Sequence, residues 1–139
     1  MVVYSKRVAW LAVLTAIALI PAARAQEKAK KLTAMDEFNI QTATDPQISP
    51  DGKKITYVRG FADPMTDRRY SNLWIIGADG ADHRALTTGN RNDTSPRWSP
   101  DGTRVAYLSG EDGRTQIYVR WMDSGQTARI TDLEQSPSA

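Results

Sequence analysis

The chain has 139 residues, no Cys and a single His, with 18 basic against 16 acidic side chains. Without Cys there is no disulfide, no Cys-ligated metal and no Cys nucleophile. Lys6, Arg7 and Arg24 all fall in the first 25 residues, which carry no acid; taking those three from 18 leaves 15 basic against 16 acidic, a net charge of −1 for the remainder. The basic balance of the whole chain therefore gives no support for nucleic acid or an anionic membrane as partner.

Residues 1–25 read as a secretory signal. Lys6 and Arg7 precede an uncharged apolar run over 8–20, Pro21 breaks it, and Ala23-Arg24-Ala25 is a small-x-small cleavage site. The run is short for a spanning helix, which needs about 20 apolar residues. Cleavage after Ala25 and export to a bacterial periplasm or surface are expected, with no membrane attachment afterwards. A cysteine-free exported chain suits that compartment, where disulfides are optional. Residues 26–44 form a leader. Its Lys28, Lys30 and Lys31 read as a solvated terminus, and Thr33 with Asp36 fits a capping box ahead of one or two helical turns over 35–40.

From residue 45 the chain is one unit written twice. Pro46-Gln47-Ile48-Ser49-Pro50-Asp51-Gly52 returns 50 residues later as Pro96-Arg97-Trp98-Ser99-Pro100-Asp101-Gly102. Ile55-Thr56-Tyr57-Val58 answers to Val105-Ala106-Tyr107-Leu108. At a spacing of 44, Leu73-Trp74-Ile75 answers to Ile117-Tyr118-Val119, and Leu86-Thr87 to Ile130-Thr131. The difference of six is a longer loop over 59–71 than over 109–115. A period of roughly 40–50 residues marks a repeat architecture.

Ser-Pro-Asp-Gly suits a type I turn closed by a left-handed Gly, a common hairpin connection. Each unit then reads as four short strands, near 47–48, 54–59, 72–76 and 83–87 in the first, and near 97–98, 104–109, 116–120 and 127–131 in the second. Asp79-Gly80, Asp112-Gly113 and Ser124-Gly125 mark the turns between them. The second strand is apolar on both faces, so it is covered on both sides, whereas the fourth mixes His83 and Arg84 with Ala85 and Leu86, as an outer strand does. The expected fold is all-β: two four-stranded antiparallel blades of an incomplete β-propeller, at 45–92 and 93–133, preceded by a signal peptide and a short helix. A sandwich would show one wet face per strand and no internal copy.

The two units resemble the Trp-Ser-Pro-Asp-Gly blades shared by TolB-type propellers and by the propeller of the prolyl oligopeptidase family of serine peptidases. The lead Met35-Asp36-Glu37-Phe38, followed closely by the first blade, is similar to the start of exported acylaminoacyl- or dipeptidyl-peptidase-like enzymes. TolB, by contrast, sets a whole α/β domain ahead of its propeller. The resemblance implies a propeller that restricts short peptides to a catalytic α/β-hydrolase domain, or alternatively a TolB-like module docking envelope proteins; a propeller fused to a metal-dependent amidohydrolase is a third possibility. The family's catalytic Ser, Asp and His lie after the propeller, so none is carried onto this chain, which has no Gly-x-Ser-x-Gly. Residues 134–139 look like the start of a third unit, and the chain is expected to be an N-terminal fragment, marginal alone and prone to aggregate through open edges.

No catalytic, cofactor-binding or metal-binding residue is assigned. His83 reads as a solvated side chain of the outer strand. Asp51, Asp101, Asp79, Asp112 and Asp123 belong to turns, without calcium-loop spacing. Tyr57, Trp74, Trp98, Tyr107 and Tyr118 read as blade core. The loop over 61–70, with Asp67, Arg68 and Arg69, is the feature peculiar to the first unit and the place where a scaffold of this kind carries function.

Overall fold

The computed structural model describes residues 31–110 and 113–137. The signal segment, most of the lysine cluster, Asp112 and the last two residues lie outside them. A 3-10 helix, Ala34–Asn39, opens the described part. Thr33 donates to Asp36 Oδ2 from both its backbone N–H (2.7 Å) and its hydroxyl (2.8 Å), so the expected box forms around the Asp36 carboxylate.

Eight strands follow: β1 (Thr42–Ile48), β2 (Lys54–Asp63), β3 (Arg68–Gly77), β4 (Arg84–Ala85), β5 (Asp93–Trp98), β6 (Arg104–Ser109), β7 (Gln116–Trp121) and β8 (Thr127–Arg129). They make two four-stranded antiparallel sheets in simple order, β1-β2-β3-β4 and β5-β6-β7-β8. Each sheet is one repeat unit, called here blade 1 and blade 2.

The two Ser-Pro-Asp-Gly turns are built alike. Ser49 Oγ donates to Asp51 Oδ1 (2.6 Å) and accepts from Lys54 N–H (2.9 Å), while Lys53 N–H donates to the same carboxylate (3.1 Å). Ser99, Asp101, Thr103 and Arg104 repeat this, with Thr103 adding its hydroxyl at 2.8 Å. Gly52 and Gly102 take φ of 72° and 69°, the left-handed region that the turn requires. Hydrogen bonds from Ser99 and Thr103, helped by Arg104, hold Asp101 well below its ordinary 3.8, at about 2. A carboxylate lowered on folding supports the native state above its unfolded pKa and loses that support on protonation. This turn should therefore contribute in full above pH 3.8 and lose its contribution as pH falls through about 2. A carboxyl-carbon NMR titration checks it: an Asp101 midpoint at the ordinary value would refute the turn geometry.

The first Pro of each motif has its own job. β1 and β5 slip register between Thr44 and Gln47 and between Thr94 and Arg97. Pro46 and Pro96 occupy these bulges, where a missing N–H costs no ladder bond. Asp45 and Ser95 just before them carry positive φ, 47° and 54°.

The closing Leu-Thr and Ile-Thr pairs are tethers rather than strand. Thr87 Oγ1 accepts from Leu73 N–H at 2.9 Å, and Leu86 N–H donates to Leu73 O at 2.8 Å. Thr131 and Ile130 do the same to Ile117. The fourth strands are consequently shorter than the sequence suggests; in blade 1 Leu86 and Thr87 leave the edge to be buried, whereas in blade 2 Ile130 leaves it and stays 56% exposed.

The core lies between the blades. Val58, Leu73, Ile75 and Leu86 of blade 1 cluster with Tyr107 and Tyr118 of blade 2, with Trp98 and Met122 against them. Leu73, Val105 and Thr56 are fully buried. Outside this contact the blades are joined by Trp98 Nε1–H donating to Gln47 O (3.2 Å) and by an Arg97–Asp45 ion pair (3.0 Å). The linker into β5 is held to β3: Asn72 Nδ2 donates to Gly89 O (3.1 Å), and Ser71 Oγ to Asp93 O (3.1 Å).

Candidate functional site

The stretch 61–70 is not a loop. β2 and β3 stay paired as far as Asp63↔Arg68, and only 64–67 turn. The expectation fails for a local reason. Asp63 accepts from Met65 N–H and from the Thr66 hydroxyl, both at 2.9 Å, and Asp67 takes a left-handed φ of 52°. An Asx turn thus continues the hairpin that the repeat alignment, made on blade 2, would have ended sooner. These donors, the Met65 amide first, draw the exposed Asp63 carboxyl below its ordinary value.

The result is an arm. The β2 and β3 strands have 10 residues each against 6 in β6 and β7. At about 3.4 Å per residue the extra four carry the paired strands about 14 Å beyond the point where β6 and β7 end. The arm is braced along its length. Phe61 and Tyr70 set their rings 5.9 Å apart, Arg69 pairs with Glu37 of the 3-10 helix at 3.6 Å, and Asn90 Nδ2 donates to Asp63 Oδ2 at 3.1 Å. Glu37, Phe38, Ala62, Asp67, Arg68 and Arg69 line a shallow recess of about 140 Å³ beside it. The recess is mostly polar: Arg68 and Arg69 bring guanidinium groups to it, Glu37 and Asp67 carboxylates, and Phe38 and Ala62 its apolar part.

His83 is exposed, as expected for a solvated residue, but it is not isolated. Its Nε2 lies 2.6 Å from the Tyr57 hydroxyl, its ring stacks on Tyr57 with centroids 6.1 Å apart, and Trp74 tilts against it at 5.0 Å. Arg59 lies over Trp74, 4.1 Å from the ring centroid, and donates to Gln41 Oε1. This is an aromatic and cationic patch. Among the described residues it brings His83 no Ser hydroxyl and no carboxylate, so it lacks the arrangement of a general base.

The patch also divides the aromatics that sequence reading grouped as core. Tyr107 and Tyr118 are buried between the blades, stacked at 5.8 Å, and Trp98 packs beside them. Tyr57 and Trp74, the equivalents in blade 1, are only half-buried, on the face turned away from blade 2. Burial pushes the Tyr107 hydroxyl pKa upward, and the charge of Asp93 adds to this.

Asp51 and Asp101 spend their oxygens on their own turns, as described, and Asp79 Oδ1 likewise accepts from Ala81 N–H at 3.0 Å. Among the described residues no group of three or more His, Asp or Glu is placed to hold a metal ion. One acid went unnoticed in the sequence. Asp93 is fully buried, pairs with Arg91 at 3.1 Å, and leaves Oδ1 without a hydrogen-bond partner. Nothing in its sequence context distinguishes it from the turn acids.

A family model of the TolB beta propeller domain matches residues 31–138. The uncharacterized peptidase YuxL of Bacillus subtilis (strain 168) is 35% identical over 105 residues, which is 75% of this chain and 16% of that protein. The Tol-Pal system protein TolB of Alkalilimnicola ehrlichii is 38% identical over 88 residues, 63% of this chain and 20% of that protein. Among solved structures, the β-propeller domain of the trilobed protease from Pyrococcus furiosus matches with a TM-score of 0.55 at 22% identity, over 66% of this chain and 27% of that one. The chain thus spans no more than 20% of these two curated relatives.

Proposed function

Because the chain belongs to the TolB β-propeller family, we propose that it serves as the first two blades, 45–92 and 93–133, of a propeller that caps a serine peptidase and restricts entry to short peptides. In this reading residues 1–25 export the protein to the periplasm or beyond, and acyl transfer from peptide to Ser and then to water takes place in an α/β-hydrolase domain outside this chain. No catalytic residue is assigned here. The contribution of these residues is shape: two stacked sheets and an arm that stands past them.

One observation favours the peptidase reading over a TolB-like protein-binding module. The similarity to the peptidase relative runs over 105 residues, more than the two blades hold. The lead or the tail is therefore shared with the peptidase relative as well as the repeats. The arm supports the same reading, since a braced projection on a rigid scaffold is suited to lean on a neighbouring domain.

The test is to read the coding DNA past the codon for Ala139 and assay its whole product. A frame that enters Gly-x-Ser-x-Gly, and a product that cleaves short chromogenic peptides while sparing long ones, supports the cap. Deleting 64–67 and shortening the arm to the length of the β6–β7 hairpin should then raise cleavage of long peptides relative to short ones by about tenfold, the scale of a lost steric restriction of about 1.4 kcal/mol. An α/β domain upstream with no nucleophile downstream would replace this reading with the TolB-like one, in which envelope proteins are the partners.

A further inference from the structure

Past Gly60 and Ser71 the sheet of blade 1 changes character. β1 pairs with β2 no further than Thr42↔Gly60, and β4 meets β3 only at Trp74 and Ile75. Beyond that line the pairs Phe61↔Tyr70, Ala62↔Arg69 and Asp63↔Arg68 form a two-stranded arm. Two strands by themselves are marginal in water. The root of the arm is asymmetric. On β3, Ser71 is pinned to the linker into β5: its N–H donates to Arg91 O and its hydroxyl to Asp93 O, both at 3.1 Å. On β2 the root residue is a glycine. A Cβ at Gly60 would lie 2.5 Å from Thr42 Oγ1, so the close seat of Thr42 calls for Gly there. Gly within a strand is also where the backbone bends most easily.

Beyond its root the arm is stiff in itself. The Asx turn at Asp63 closes the tip, and Phe61 and Tyr70 set their rings 5.9 Å apart across the two strands. What fastens it to the rest of the chain is slight. On one side Arg69 pairs with Glu37 of the 3-10 helix at 3.6 Å, the two side chains being 66% and 71% exposed. On the other, Asn90 Nδ2 of the linker donates to Asp63 Oδ2 at 3.1 Å, also in the open. An exposed ion pair adds little stability and is screened by salt. A stiff hairpin, a glycine at its root and two weak ties on opposite strands are the parts of a hinged flap.

We propose that residues 61–70 are a lid that swings as one piece about Gly60, latched by Glu37–Arg69 and by Asn90–Asp63. Releasing the latches opens the lid while the four-stranded part of blade 1 stays whole. The first latch ties the lid to the leader, so the segment that follows the export signal sets where the arm stands. This deepens the peptidase reading, on which its consequence rests: a hinged arm makes the size limit for entering peptides adjustable. The motion itself is independent of that reading. The test below reads backbone opening, not hydrolysis, so a failed lid leaves the peptidase reading standing, and a frame without a nucleophile leaves the lid standing.

The experiment is residue-resolved amide hydrogen exchange by NMR on the 139-residue chain without its first 25 residues, at one fixed concentration. Glu37→Gln and Asn90→Ala are the single variants. In the parent, the hydrogen-bonded amides of 61–63 and 68–70 should exchange at one common rate, at least about tenfold faster than those of 55–58 on the same strand. Each variant should raise the arm's rate, taken relative to 55–58, by about two- to fivefold, the scale of an exposed contact. Raising salt from about 50 mM to about 500 mM should quicken the arm in the parent and in Asn90→Ala, but not in Glu37→Gln. Equal rates on the two sides of Gly60 overturn the proposal, since arm and blade then open together. So do rates that climb steadily from Gly60 to the tip, which is fraying rather than a hinge. Arm rates that neither variant moves, or a salt effect that survives in Glu37→Gln, overturn it as well. Unchanged exchange at 55–58 is the folding check. Arg69→Gln and Asn90→Ser, which break the same two latches, replace a variant that fails it.

Discussion

Replacing Arg91 by Ala is expected to destabilise the folded chain by about 3–5 kcal/mol, the range found when one partner of a buried ion pair is removed. Asp93 is wholly enclosed between the start of β5 and the end of β6, and its Oδ1 has no hydrogen-bond partner. What holds the carboxylate there is Arg91 Nε–H at 3.1 Å, from a side chain 21% exposed. Deleting that cation strands a charge in a medium that solvates it poorly. The double variant Arg91→Ala, Asp93→Asn removes the stranded charge and should recover a large part of the loss. Urea unfolding at one fixed protein concentration reads both numbers, concentration being held because association shifts apparent stability. If Arg91→Ala alone stays within about 1 kcal/mol of the parent, the pair is not the support described here.

Leu73→Ala should cost about 2–5 kcal/mol, and the informative comparison is with Ile117→Ala. The two residues hold the same place in the repeat. Leu73 is 0% exposed, pressed between β2 and the tyrosines of blade 2, while Ile117 faces away from blade 1 and is only half-buried. In dilute solution the second substitution should lose much less, because the space it leaves is open to water rather than a sealed cavity. Equal losses would mean that the face bearing Ile117 is covered even in the monomer.

The repeat was readable because it rests on local rules. Ser-Pro-Asp-Gly fixes a turn whatever surrounds it, and two such turns in register determine where eight strands run. The Leu-Thr ending was visible as a pattern, but its reason was not, since the Thr87 hydroxyl meets an amide fourteen residues earlier. The same applies to Pro46 and Pro96: a proline ahead of a strand looks like a boundary, and the bulge appears only once β2 and β6 are paired against it. The arm was misjudged because alignment to the shorter unit treats every extra residue as loop, although Phe61 and Tyr70 sit opposite each other as strand residues do. The position of Tyr57 and Trp74 was beyond the sequence altogether. Their chemistry is that of Tyr107 and Tyr118, and only the order of the blades decides which pair is covered.

The strand order β1-β2-β3-β4 and β5-β6-β7-β8 also bears on how the chain is made. Every ladder joins neighbours in sequence, so contact order within a blade is low, and closing each hairpin sacrifices little loop entropy. A nascent chain leaving the ribosome at about 5–20 residues per second can finish the ladder of blade 1 seconds before β6 and β7 exist. During that interval Leu73 and Val58 have no tyrosines over them, and the half-made product is at its most adhesive.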